Sequence, residues 1–187
     1  MNQTSSAIRE LSSDDNLGAL TDMLHRSYAP LAAAGMRYLA SHQDEEKTRS
    51  RAFAPGVKTL VGVDKADRVV ATITVTTEGD TRQGCEQDPQ PEWYLRDDVA
   101  IFEQFAVDPD HQGNRLGQKL LMAAADLVAP LGFKELACDT SEHAAHLIAY
   151  YSNLGFREVG TVNWGVTNYN SVLLSRSLPW TNCDLEA

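Results

Sequence analysis

The sequence has little cysteine, no long apolar run and no surplus of positive charge, and each shortage argues against a class of function. Its three cysteines, Cys85, Cys138 and Cys183, are odd in number and scattered, with no Cys-x-x-Cys spacing. A disulfide framework or a thiolate zinc site is therefore not expected. Cys138 lies in an apolar run and reads as a buried, inert thiol rather than a nucleophile. No segment approaches the roughly 20 apolar residues that cross a bilayer. The opening Met1-Asn2-Gln3-Thr4-Ser5-Ser6 has neither a basic nor an apolar leader region, so the expected location is cytoplasmic. With Lys+Arg at 16 against Asp+Glu at 26, the net charge is −10 and the pI about 4.8. Such a field repels nucleic acid and anionic membrane, so neither is an expected partner. It would draw a cation, although acidity also serves solubility alone.

What is present is ordinary globular material: 187 residues, 43% hydrophobic, matching one domain over 1–187. Ala7 to Glu10 suits a short strand, followed by the cap-rich Ser12-Ser13-Asp14-Asp15. A helix carrying Leu17, Leu20, Met23 and Leu24 follows, interrupted at Tyr28-Ala29-Pro30. Asp44 to Phe53 reads as a charged helix ended by Pro55-Gly56. Residues 59–63 and 69–76 alternate as strands of a hairpin, and 78–92 reads as an inserted surface loop. A strand from Val99 to Val107 leads to a helix from about Gly113 to Leu131, stopped by Gly132. Phe133 to Cys138 is a strand, Glu142 to Leu154 a helix, and 156–162 and 166–175 are closing strands. This order puts a parallel pairing in the second half beside an antiparallel first half.

The most informative stretch is the polar turn Asp108-Pro109-Asp110-His111-Gln112-Gly113-Asn114-Arg115-Leu116-Gly117-Gln118. It follows a strand and opens a helix, whose first amides and dipole make an anion site. A pyrophosphate needs close backbone approach, which small residues permit; a plain strand–helix connection would look the same. The spacing is not that of a Walker A loop, nor of a Rossmann dinucleotide turn.

Gln112-Gly113-Asn114-Arg115-Leu116-Gly117 resembles the Q/R-x-x-G-x-G/A motif of the GNAT superfamily of N-acetyltransferases. Glu103 to Pro109 resembles its fourth strand, and Ala149-Tyr150-Tyr151-Ser152-Asn153-Leu154-Gly155-Phe156 its later xYxxxGF segment. The order and separation of the pieces match as well, over about Val99 to Gly160. Arg115 stands where the family carries its first motif glycine, so its side chain either points away from the phosphates or contacts one.

The resemblance implies an α/β (or α+β) fold, a mixed, twisted central sheet with helices on both faces. It implies acetyl-CoA as co-substrate, no metal, and direct acetyl transfer to a primary amine in a ternary complex. Phe105, Ala106 and Val107 would pair with the pantetheine arm, and Gln112, Gly113, Asn114, Arg115, Leu116, Gly117 and Gln118 would hold the pyrophosphate. A strand amide would polarise the thioester carbonyl. Tyr151 would serve the leaving thiolate as acid, with Tyr150 as a packing neighbour. Glu103 is the candidate base; on strict alternation it shares a face with Ile101, Phe105 and Val107, a parity that a bulge would upset. His111 reads as solvated, and His143 and His146 have no metal-ligand spacing.

The acceptor is either a small-molecule amine or a peptide or protein amine, shaped by the first two helices, the 78–95 loop and the terminal strands. Asp97 and Asp98 would attract a cationic amine, or are simply solvated. A homodimer is the default oligomer. The rival reading is a non-catalytic acyl-CoA-binding sensor or structural subunit, and a nucleotide-binding regulator is a further one.

Overall fold

A computed structural model describes residues 7–78 and 90–180, so Cys85, Cys183 and most of the expected 78–92 loop lie outside the described residues. In chain order the elements are β1 (Ala7–Glu10), α1 (Leu17–Ala33), α2 (Glu45–Ala52), β2 (Val57–Val63), β3 (Val69–Thr76) and β4 (Val99–Val107). Then follow α3 (Leu116–Val128), β5 (Glu135–Ser141), α4 (Ala145–Asn153), β6 (Arg157–Val162) and β7 (Ser171–Ser177). The strands make one seven-stranded mixed sheet in the order β1-β2-β3-β4-β5-β7-β6. Only β4 and β5 run parallel; every other neighbouring pair is antiparallel.

The expected parallel pairing is therefore present, but β7 inserts between β5 and β6, which the element order does not reveal. Helices cover both faces. On one, Leu116, Leu120, Leu121, Ala124 and Val128 of α3 meet Ala71, Ile73, Val75 and Phe102. On the other, Leu17, Leu20, Met23 and Leu24 of α1 meet Val61, Val63 and Ala106. Full burial of each leucine contributes about 1.5–3 kcal/mol, which makes these stripes the main tie between helices and sheet.

Local chemistry sets the ends. Asn16, rather than the preceding Ser and Asp residues, caps α1, its side chain accepting from the Ala19 amide at 2.9 Å. Asp44 caps α2 through the Lys47 amide at 2.7 Å. α1 runs through Pro30 instead of breaking there: the proline falls in its last turn, gives up one intrahelical bond, and Leu31 beyond it stays buried. α3 begins later than expected, since Gly113 and Arg115 take left-handed backbone (φ 81° and 56°). β7 also begins late, the segment before it forming the turn from β6.

β4 carries the feature that positions the site. Its register against β3 steps from Thr72–Ala106 to Thr74–Glu103, an extra residue that bends the strand. Gln104 sits at this bulge with φ 49° and is buried. Its side chain explains why it stays there: Oε1 accepts from Gln43 Nε2 at 2.8 Å and Nε2 donates to Thr74 Oγ1 at 3.3 Å. Gln43 in turn accepts from Arg51 at 2.6 Å and donates to Thr48 at 2.8 Å. This polar network ties α2 to the bulge.

Candidate active site

β4 leads directly into the turn expected to hold the pyrophosphate. Asp108 accepts from the Asp110 amide at 3.0 Å and pairs with Arg26 of α1. Burial opposes its charge, but these donors hold its carboxyl below the ordinary range. The first intrahelical bond of α3 is Lys119 N–H to Arg115 O at 3.0 Å, so the amides of Leu116, Gly117 and Gln118 have no helical acceptor. Gln112, Gly113, Asn114 and Arg115 face solvent. Among the described residues the Arg115 guanidinium has no carboxylate partner. Gly117 is small for a packing reason too, since a Cβ there would stand 3.1 Å from Phe105 Cζ and 3.3 Å from Val107 Cγ2.

Beside the turn the sheet opens. β4 pairs with β5 only from Val99–Glu135 to Ile101–Ala137, and beyond Ile101 the two strands part. The carbonyls of Phe105 and Val107 are turned away from β3. Phe105 O accepts from Tyr28 Oη at 3.0 Å, and Val107 O from Ser27 Oγ and Gln112 Nε2, both at 3.1 Å. Ala106 differs from its neighbours. The Asp108 amide bonds Val70 O at 2.8 Å, so by alternation the Ala106 main chain bonds Thr72 of β3, leaving Phe105 and Val107 to face the gap. Across the gap, Tyr38 Oη accepts from the Ser141 amide at 2.9 Å and lies 2.8 Å from Thr140 Oγ1. Leu31, Met36, Ala144 and Tyr169 pack there with Tyr28, Tyr38 and Leu147, so α1 meets the start of α4 through the opening.

The two adjacent tyrosines of α4 point to different places. Tyr151 is buried among Phe102, Phe105, Phe156 and Tyr150. Its hydroxyl neighbours the thiol of Cys138, the first β5 residue past the last β4 pair, so it stands at the apex of the gap. Burial pushes that hydroxyl well above its ordinary range, and burial likewise raises the Cys138 thiol, in keeping with an inert cysteine. Tyr150 packs against the core with its hydroxyl toward the start of α3, 3.4 Å from where a Cβ of Gly117 would be, and burial raises it to about 12.

The bulge corrects the parity expected for Glu103. Glu103 lies on the α2 face with Gln104, while Phe102, Phe105 and Val107 pack with the α3 core. Its oxygens are held in a fork by Arg51, Nε to Oε1 at 3.0 Å and Nη2 to Oε2 at 2.9 Å. A second carboxylate, which the sequence reading missed, faces the same space from β5. Asp139 accepts from Trp164 Nε1 at 2.9 Å and Tyr94 Oη at 3.3 Å, and has no cation partner among the described residues. Burial raises its pKa, with hydrogen bonds from these rings opposing and the nearby Glu103 charge adding to the rise. The strand expected to end at Cys138 runs on to Ser141, and its alternation puts Asp139 on the face of Ala137.

Other expectations fall away or shift. Asp98 is bonded by Arg96 at 2.9 and 2.8 Å, just before β4 begins and away from the bulge. His111 is half-buried, its Nδ1 3.6 Å from Asp108 Oδ1, and His143 and His146 are exposed. Among the described residues no group of three or more His, Cys, Asp or Glu could hold a metal. No helix of the described residues is long and apolar enough to cross a membrane.

The model of the acetyltransferase (GNAT) family matches residues 19–156. Among solved structures, PH1933 from Pyrococcus horikoshii OT3 superposes with a TM-score of 0.68 at 18% identity, over 94% of this chain and 99% of that one. An acetyltransferase of the GNAT family from Staphylococcus aureus Mu50 gives 0.67 at 14%, over 94% and 100%. The ribosomal-protein-S18-alanine N-acetyltransferase from Escherichia coli gives 0.66 at 18%, over 95% and 97%. At these identities the likeness speaks for the fold alone. No curated protein matches the sequence significantly.

Proposed function

The chain belongs to the GNAT acetyltransferase family, whose members transfer acyl groups from acyl-CoA, and from that premise we propose that it moves an acetyl group from acetyl-CoA to a primary amine by direct attack in a ternary complex. The observation that carries this reading is the β4–β5 gap opening beside the free amides of α3. The residues present suit the donor: Leu116, Gly117 and Gln118 offer amides to a pyrophosphate, with Gln112, Gly113, Asn114 and Arg115 around them. Phe105 and Val107 offer main-chain groups to an extended amide arm, with Tyr28, Ser27 and Gln112 as the hydrogen bonds it would replace.

Acetyl-CoA supplies a thioester whose carbonyl carbon the amine attacks, the C–N bond forming as the C–S bond breaks. The main chain at the bulge stabilises the negative charge that gathers on the carbonyl oxygen. The ammonium loses its proton to Asp139 or Glu103. Asp139 suits that role because it is not tied to a cation, whereas Glu103 must share its fork with Arg51. Tyr151 donates a hydrogen bond to the departing sulfur, and the proton that the nitrogen sheds as it becomes an amide ends on that thiolate. The tyrosine's pKa lies well above the ~8.5 of an ordinary thiol, so donation is favourable while full proton transfer from it is uphill.

The acceptor approaches from the opposite side, between the α1–α2 connection and the β6–β7 turn, where the surface is grooved. Thermal unfolding with acetyl-CoA, CoA, ATP or NAD tests the donor, and thiol release across an amine panel tests the reaction. Acetyl-CoA and CoA should raise the melting temperature. Protection by ATP or NAD without any from CoA would end this reading. Binding of CoA with no thiol released by any amine would favour the non-catalytic sensor.

A further inference from the structure

The protein is strongly acidic, with a net charge of −10, yet the groove on its acceptor side is lined by bases. Its two adjoining bays, about 490 and 560 Å³ in volume, suit a small molecule. Arg37 and His42 line both bays and Lys47 lines the larger; among the described residues no carboxylate lines either. Arg37 and Lys47 also have no carboxylate partner among the described residues, whereas Arg49 and Arg51 beside them are paired with Glu45 and Glu103. The exposed apolar side chains Leu39 and Val166 face the larger bay.

The groove is fixed in place and borders the reaction gap. Asn168 accepts from the Arg37 amide at 3.0 Å and donates to Gly35 O at 2.7 Å, tying the end of α1 to the β6–β7 turn. The next residue, Tyr38, reaches Thr140 at the gap and packs on Tyr169, ring centroids 5.1 Å apart. Of the carboxylates near the gap, Asp98 is engaged by Arg96 and Glu103 by Arg51, which leaves Asp139 for the amine itself and none unpaired for a second positive charge among these three.

We infer that the acceptor is a small amine that also carries an anionic group, a carboxylate or phosphate set apart from the nitrogen that is acetylated. This rests on the acetyl-transfer reading: the amine enters the gap while Arg37 and Lys47, with His42 beside them, hold the anion. A local cluster of unpaired cations on an acidic surface both steers such a molecule and selects against a second positive charge.

The test uses matched pairs of amines: an amino acid and its carboxamide, and a phosphorylated alkylamine and the parent alcohol. Thiol release from acetyl-CoA gives kcat and KM, and calorimetry in the presence of CoA gives binding without turnover. The anionic member of one pair should be favoured at least ten-fold, about 1.4 kcal/mol, through KM rather than kcat. The pair with the larger preference names the anion. Arg37→Glu with Lys47→Glu, both exposed and thus compatible with folding, should erase or invert the preference. Equal or better use of the neutral members, or a preference that survives the reversal, overturns the inference while leaving acetyl transfer intact. Use of peptide amines with no binding of the small anions overturns it as well. Selective binding of the anionic members with no thiol released supports the inference and removes the acetyl-transfer reading instead.

Discussion

The donor side and the acceptor side of the gap are built in different ways. The donor turn is local: Gln112 bonds a carbonyl five residues back, and the α3 amides belong to one short segment. The acceptor side is assembled across the chain. Arg51 meets Glu103 over 52 residues, Tyr38 meets Thr140 over 102, and Arg37 meets Asn168 over 131. On the proposed reading, one side would recognise its ligand mainly with main chain and the other mainly with side chains. A main-chain site fixes the sequence around it through backbone angles and small residues. A side-chain site can be rebuilt without disturbing the sheet, so the fold names the donor and leaves the acceptor open.

The comparison breaks most sharply at the two carboxylates. Asp139→Asn should lower kcat by about 10²-fold or more, the usual range for a positioned base, and Glu103→Gln by much less. Wild-type activity should rise with pH through the raised pKa of Asp139, and the asparagine variant should lose that limb. A pH profile with the limb intact in Asp139→Asn but absent in Glu103→Gln would hand the role to Glu103.

On the donor side the largest effect belongs to Tyr151. Tyr151→Phe keeps the ring among Phe102, Phe105 and Phe156, so stability should change little. Turnover should fall roughly 30- to 100-fold while acetyl-CoA binding, measured by calorimetry, holds within about two-fold. Equal losses in both would make Tyr151 a packing residue.

These expectations show what the sequence could and could not disclose. Element identity was readable because alternation in β3 and the apolar stripe of α3 are local properties. The turn was readable as a turn because its polar residues and glycines are consecutive, and Gly113 and Arg115 do take left-handed backbone. Gln104 was not, since a buried glutamine at a left-handed bulge depends on Gln43 and Thr74, which are distant in sequence. The face of Glu103 departs from strict alternation for that same reason, through the bulge named as able to upset it. Asp139 was missed because its burial comes from Tyr94 and Trp164, on either side of it in the chain.

A smaller effect separates two carboxylates on one face of β5. Glu135 is buried and Asp139 half-buried, but Arg157 (2.7 and 3.1 Å), Ser175 and Ser177 bond Glu135. Burial raises its pKa and these donors more than offset that, so the net shift is downward. Glu135→Gln should cost about 2 kcal/mol at neutral pH, discounted because Arg157 is half exposed. For a depressed pKa that stability is present above the unfolded value, about 4.3, and is lost as pH falls through the lower folded one. Asp139 has the opposite sign: stability relative to Asp139→Asn should decline as pH rises from its unfolded value toward its raised folded one. Urea titrations from pH 3 to 7 would read both slopes.

The smallest effect tests the donor turn at its one departure from the family pattern. Arg115 holds φ 56° at the start of α3 with no side-chain cap, a conformation that costs a non-glycine residue about 1–2 kcal/mol. Glycine removes that strain but gains freedom in the unfolded chain, so Arg115→Gly should stabilise the fold by at most about 1 kcal/mol. If the guanidinium reaches a phosphate, the variant should bind acetyl-CoA about three- to five-fold more weakly at low salt, as expected for one exposed ion pair. High salt should close that difference by screening. An affinity unchanged at low salt would mean that the arginine points away, and that amides alone hold the donor.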